Sequence, residues 1–307
     1  MSDLTYLQSV VIGALQGVTE LFPVSSLGHS VLVPAWLGGD WKHLVTESST
    51  ATSEQSPYLA FIVALHVATA IALLGFYWRN WVAIIKALWQ VARTRTVQTS
   101  TERLGVLLVV ATIPVGITGL ALEHPLRTLF AKPLAAAIFL TVNGVILGGG
   151  ELLRRRAAIS KTQSTDPAPG THRRPAAQTG RSLDTLRPAE AGLIGLFQTL
   201  ALLAGISRSG ITMVGGLLRG LDHEDAAKFS FLLATPIIFA AGVLKLPSLA
   251  GSAGAHIHGQ VLVGFLTAGI CAYLTVRFLT RYFTTRTLTP FAVYCLAAGG
   301  LSIAHFA

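Results

Sequence analysis

The sequence predicts an all-α integral membrane protein built as an inverted-topology repeat. Each half is read as one re-entrant broken-helix hairpin followed by three transmembrane helices. Three observations lead there. The 307 residues are 52% hydrophobic and only 12% charged, a balance that a soluble globule does not show. Apolar stretches of spanning length recur along the chain, separated by basic loops. Finally, residues 12–29 and 194–211 align without a gap and break at the same place.

That internal match organises the rest. Residues 12–29 are apolar enough for a membrane, yet hold Gln16, Glu20, Ser25, Ser26 and His29. Pro23 and Gly28 forbid one smooth helix through them. With Ile12 set over Ile194, Gly13 meets Gly195, Gln16 meets Gln198, Ser25 meets Ser207 and Gly28 meets Gly210. Pro23 falls opposite Gly205, and Ser26 opposite Arg208. Glu20 and His29 face Leu202 and Ile211, so the copies share a backbone plan but not a chemistry.

The first repeat is read over residues 1–153. Its hairpin occupies 4–38, in two apolar pieces (4–22 and 25–38), neither of which reaches the ~20 residues of a comfortable span. Such backbone is tolerated only where protein or a water-filled cavity surrounds it. A polar loop covers 39–57, and full spans are expected at 58–78, 103–122 and 134–153. Between the first two, 79–102 places Trp81, Ile84, Ile85, Leu88 and Trp89 at helical spacing beside Arg79, Lys86, Arg93 and Arg95. This predicts an amphipathic helix lying at the interface.

Arg154, Arg155 and Arg156 end the third span, and 154–187 reads as a disordered, basic cytoplasmic linker. The second repeat, 188–307, follows with a hairpin at 188–218 and spans at 225–247, 259–280 and 288–306. Basic residues in 79–102, in 154–187 and at Arg277, Arg281 and Arg286 put those loops inside. The first hairpin then enters from outside and the second from the cytoplasm, which inverts the halves. Inverted repeats built from broken helices place their site near the midplane.

The net charge of +9 sits in loops between apolar segments, which argues against nucleic acid as a partner. Cys271 and Cys295 lie inside apolar runs and read as free thiols. The N-terminus lacks a basic region and a small-residue cleavage pattern, so no removable signal peptide is expected. Zinc-ligand spacing and a nucleotide-binding glycine loop are both missing from the sequence.

Several polar residues then compete for a chemical role. Gly205 to Thr212 reads as a glycine-flanked turn opening a helix, with backbone N–H groups, hydroxyls on Ser207, Ser209 and Thr212, and the guanidinium of Arg208. That combination suits an oxyanion; the plainer alternative is an arginine reaching to the interface. Glu20 lies four residues after Gln16 on one helical face, as a metal ligand, a general acid or base, or a buried structural carboxyl. Magnesium commonly uses one or two carboxylates plus substrate phosphates. His29, close to two serines, invites base-assisted attack, against a satisfied interfacial imidazole. Gln16 and Gln198 read as supporting amides that bond the broken backbone. His66 and Asn143 read as helix-to-helix hydrogen bonds, and Glu123, His124, His256 and His258 as solvated loop residues.

These motifs resemble the undecaprenyl-diphosphatase family, integral-membrane enzymes linked to bacitracin resistance. Its Glu/Gln-x-x-x-Glu motif corresponds to Gln16–Glu20, its Pro-x-Ser-Ser-x-Gly-His segment to Pro23–His29, and its Pro-Gly-x-Ser-Arg-Ser-x-x-Thr motif to 204–212. The resemblance covers nearly the whole chain outside the linker. It implies hydrolysis of undecaprenyl diphosphate to the monophosphate, in a bacterial inner membrane, with the site open to the periplasm. It implies a divalent cation, magnesium first and calcium as the alternative, with Glu20 as its ligand.

Carried over by position, Glu20, Ser26, His29 and Arg208 are the catalytic residues, Ser26 and His29 as nucleophile and base. Ser25, Ser207, Arg208, Ser209 and Thr212 are the phosphate-binding ones. Three departures stand out: Ala204 replaces a usual proline, Leu27 a common threonine, and Gln16 takes the amide option. Direct attack by water stays open beside a phosphoserine, as do a homodimer and, in another class, a transporter or flippase for a lipid phosphate.

Overall fold

The computed structural model describes residues 4–41, 57–122, 132–163, 180–250 and 257–307. Most of the polar loop 39–57, the loop bearing Glu123 and His124, the middle of the linker and His256 lie outside them.

Helix α1 (Tyr6–Thr19) starts at a reciprocal cap between Thr5 and Gln8. It ends before Pro23, and α2 (Ser26–Leu37) starts at Ser25 and stops at Gly38, whose φ of 68° suits glycine. Next come α3 (Pro57–Phe76) and α4 (Trp78–Thr94), meeting at an 84° bend. Helix α5 (Ser100–Ala121) opens on a Thr99–Glu102 capping box, and α6 covers Pro133–Gln163. The second hairpin is α7 (Pro188–Gln198), a 3-10 turn at Thr199–Leu202, and α8 (Arg208–Leu218). Helices α9 (His223–Ala250), α10 (His258–Tyr282) and α11 (Thr289–Phe306) follow. Among the described residues, five helices are long and apolar enough to cross a membrane, or six with the bent α3–α4 pair taken as one.

Two expected segments differ. The interfacial helix ends at Thr94, because Arg95 turns left-handed (φ 56°) and Thr99 caps the next helix. Ile84 and Leu88 pack on Gly105 of α5, leaving Trp78, Ile85 and Trp89 exposed. The basic linker is shorter than 154–187. Arg154–Arg156 do not stop α6, since arginine is a good helix former and Arg155 Nε bonds Glu151 Oε1, one turn back, at 3.3 Å. At the other end, Arg181 is held by Gly220 O (2.7 Å) and Glu190 Oε1 (3.0 Å).

Packing pairs the two halves of the chain. Helix α1 lies on α10 and α7 on α5; α3 lies on α9, and α6 on α11. The matched glycines of the two hairpins make the close approaches. A Cβ on Gly13 would stand 2.6 Å from Gly264 O of α10, and one on Gly195 would collide with Ala111 O of α5. Small residues at such crossings are how helices pack in lipid, where apolar burial gives no drive. Leu262, Leu266, Ile270 and Leu274 form an exposed stripe on α10 with a four-residue repeat, a lipid-facing surface.

The hairpin ends meet different ends of the bundle. Trp36, closing α2, donates to Ser302 Oγ (2.9 Å) and stacks on His305 near the end of α11. Arg219, closing α8, bonds through its carbonyl to Arg181 Nη1 (3.0 Å), beside the start of α7. The N-terminal end of α11 is at Thr289, where Arg155 Nη2 reaches at 3.4 Å; Glu151, one turn before Arg155, bonds His223, just past the end of α8, at 2.8 Å.

Candidate active site

The two hairpins touch at their breaks. A Cβ on Gly28 would lie 2.9 Å from Gly205 Cα, so neither turn tolerates a side chain there. Gly205 also needs its φ of 119°, because α6 backbone passes directly behind it. Ser25, at φ 71°, is a strained non-glycine residue over-determined by its bonds. Its hydroxyl accepts N–H groups from Gly28 (3.2 Å) and, across the hairpins, Gly205 (3.1 Å). Its carbonyl accepts from His29 Nδ1 at 2.7 Å.

Further bonds fix the register of this contact. Asn143 of α6 donates to Pro23 O (3.0 Å) and accepts from Ser207 N (3.0 Å), so one fully buried amide ties both breaks together. Ser209 Oγ donates to Phe22 O at 3.2 Å, and Ser207 Oγ caps α8 by accepting from Gly210 N at 3.1 Å. Thr212 Oγ1 bonds Arg208 O (2.7 Å) and Ser230 Oγ of α9 (2.6 Å).

The outcome is a cavity of about 310 Å³. Its polar wall is Glu20, Ser25, Ser26, His66, Gln198, Ser207 and Arg208; its apolar wall comes from α3, α5, the second hairpin and α9, including Ile62, Val115, Leu202, Ile206 and Ile237. Helices α2 and α8 both begin at this cavity, so two positive helix ends face it.

Glu20 sits at the centre. Its Oε1 accepts from Arg208 Nη2 at 2.6 Å. Its Oε2 accepts from Gln16 Nε2 (3.0 Å) and from the Ser26 hydroxyl, and lies 3.4 Å from His66 Nε2. A carboxylate and a guanidinium this deep in a membrane bundle are tolerable only as a pair. Arg208 Nη1 and both amide atoms of Gln198 are buried with no hydrogen-bond partner among the described residues. Buried unpaired polar atoms are costly, and a cluster facing one cavity is what a ligand would satisfy.

The structure therefore brings together Glu20, Ser25, Ser26, Gln198, Ser207 and Arg208. Gln16 reaches the cavity only through Glu20; its bond is to the carboxylate, not to broken backbone. His29, Ser209 and Thr212 do not line the cavity. The His29 ring is engaged at both nitrogens, by Ser25 O and by Tyr294 Oη at 2.7 Å. His66, expected as a link between helices, meets Glu20 at the end of α1. The signal that could have found it was a lone ionisable side chain in the middle of an apolar span.

A protein-held divalent cation fits this donor set poorly. Glu20 is the cavity's one carboxylate among the described residues, and both its oxygens already take donors. The remaining wall is rich in N–H and O–H donors, which suit an anion. Among the described residues, no group of three or more His, Cys, Asp and Glu side chains converges elsewhere.

Fold and site together define a multi-spanning membrane protein with an anion-ready pocket at the junction of two broken hairpins. The chain belongs to the family described as bacitracin resistance protein BacA, which it matches over residues 9–301. It is 61% identical over 342 aligned residues to undecaprenyl-diphosphatase 2 of Frankia alni, covering all of this chain and 99% of that protein. It is 57% identical to the undecaprenyl-diphosphatase of Mycolicibacterium paratuberculosis and 56% to that of Mycobacterium avium, again over all of this chain and 99% of each relative.

Proposed function

We propose that this protein hydrolyses undecaprenyl diphosphate to undecaprenyl phosphate and inorganic phosphate. The reaction recycles the lipid carrier of cell-wall synthesis and underlies bacitracin resistance. The observation that carries the reading is the unpaired Nη1 of Arg208 together with the unpaired Gln198 amide, on two residues that line one cavity with a polar and an apolar wall. The diphosphate takes those donors and the two helix ends; the first prenyl units lie along Ile62, Val115 and Ile237.

The Ser26 hydroxyl attacks the terminal phosphorus and gives its proton to Glu20, the oxygen it already bonds. The bridging P–O bond breaks, and undecaprenyl phosphate departs with the electron pair. Water then attacks the phosphoserine; phosphate leaves, and the proton returns to Ser26. His29 holds the carbonyl of Ser25 and so positions the start of α2. A divalent cation, were one required, would have to come with the substrate, because both Glu20 oxygens already take donors.

The fold is read as an inverted repeat. In support, the hairpins end at opposite ends of the bundle, and packing partners exchange when the halves are exchanged: α1 on α10 becomes α7 on α5. With Arg103, Arg154, Arg155 and Arg181 on the cytoplasmic side, the first hairpin opens to the periplasm.

Phosphate release from undecaprenyl diphosphate by the detergent-purified protein tests the activity, and trapping of labelled phosphate on Ser26 tests the route. Binding without release would favour a lipid-phosphate transporter, the class in which broken inverted repeats are frequent.

A further inference from the structure

We infer that His66 is a positioning residue of the hydrolytic site: it holds the Glu20 carboxylate in the orientation that receives the Ser26 proton. The inference rests on the reading of Glu20 as the base.

His66 lies midway along α3, an otherwise apolar helix. Its Nδ1 donates to Ile62 O one turn back at 2.8 Å, which fixes the ring and aims Nε2 away from its own helix. Nε2 is 3.4 Å from Glu20 Oε2, the same oxygen that bonds Ser26; because Nδ1–H is given to Ile62 O, Nε2 faces the carboxylate as a donor only in the imidazolium, so the contact is an ion pair. Glu20 is a poor candidate to hold itself in place. It caps the end of α1, where the chain is about to break, and its own hairpin offers only the Gln16 amide and the Ser26 hydroxyl, the group whose proton it is to receive. The carboxylate is fixed from outside the hairpin, by Arg208 on Oε1 and His66 on Oε2. In the proposed reaction the Arg208 guanidinium also serves the diphosphate, so its hold on Glu20 is shared. His66 is then the contact that stays with Glu20 when substrate draws on Arg208. Its ring also lines the cavity wall, so it is not merely packing material between helices.

The test uses three variants in the full-length protein, each checked for its melting temperature in detergent. His66→Leu removes the donor. His66→Gln keeps an N–H at similar reach, and His66→Asn carries the same amide one methylene too short. His66→Leu and His66→Asn are expected to lower kcat by about 10–30-fold with KM changed less than about 2-fold. His66→Gln is expected to return kcat to within about 3-fold of wild type. In a Glu20→Gln background, His66→Leu should cost nothing further. Equal kcat for the Gln and Asn variants, or an unchanged kcat in His66→Leu, would overturn the inference. Turnover retained by Glu20→Gln alone would instead overturn the assignment of the base.

Discussion

Arg208 Nη2 and Glu20 Oε1 lie 2.6 Å apart although 188 residues separate them in the chain. The pair spans the two hairpins, and it closes an acid from one onto a guanidinium from the other. Each is tolerable in the bundle because of its partner, so the contact serves stability and site geometry together. In the proposed reaction, a diphosphate in the cavity would give the unpaired Nη1 of Arg208 its acceptor.

Removing the acid should be severe. Glu20→Gln deletes the proton acceptor and leaves Arg208 without its counter-charge. Loss of at least ~100-fold in kcat is expected, about 2.7 kcal/mol of barrier. Colorimetric phosphate release checks it, and the melting temperature should fall as well.

Legibility divides along a physical line. The broken hairpins were readable, since Pro23, Gly28 and Gly205 act locally on the backbone that carries them. Glu20, Ser26 and Arg208 were readable too, as costly groups in apolar surroundings. His29 lies outside the cavity lining, because proximity to two serines in sequence does not fix which way a helical side chain points; its ring turns to Tyr294, 265 residues on. His66 and Asn143 carry no local pattern, and their roles come only from what α3 and α6 are packed against. The arginine cluster after residue 153 signals where a membrane span ends but not where α6 ends, because charge stops a span without stopping a helix.

Tyr294→Phe separates the positioning role of His29 from a catalytic one. It removes one hydrogen bond on Nε2, worth about 1 kcal/mol, and leaves the bond to Ser25 O intact. Melting should drop by a few degrees while kcat stays within about 3-fold. A loss of ~100-fold would restore His29 to the chemistry.

Gly205→Ala tests the seating of the second break on α6. The position has φ 119°, and a Cβ would stand 2.5 Å from Ala136 O. Destabilisation by roughly 2–4 kcal/mol is expected, read as a lower melting temperature or loss of the folded species on size exclusion. An unchanged melt would mean that the second break does not abut α6 there.

Magnesium binding to the substrate-free protein, followed by calorimetry, should show no site tighter than about 1 mM, because Glu20 has no oxygen free of donors. A stoichiometric site lost in Glu20→Gln would place the ion on the protein.

Deleting 164–179 should leave turnover intact, whereas deleting 157–183 should destabilise the protein. The longer deletion takes Arg181 with it, and so its bonds to Glu190, Arg219 O and Gly220 O. Comparing melting temperatures and phosphate release of the two constructions distinguishes a tether from a structural clamp.

The most direct measurement is the kcat/KM of Arg208→Lys for undecaprenyl diphosphate in detergent. A lysine keeps the charge but offers one point where the guanidinium offers two edges, one for Glu20 and one for phosphate. A fall of ~100-fold or more in a protein that still melts cooperatively is the predicted result. Turnover within about 3-fold of wild type would contradict a hydrolytic centre shared between the two hairpins.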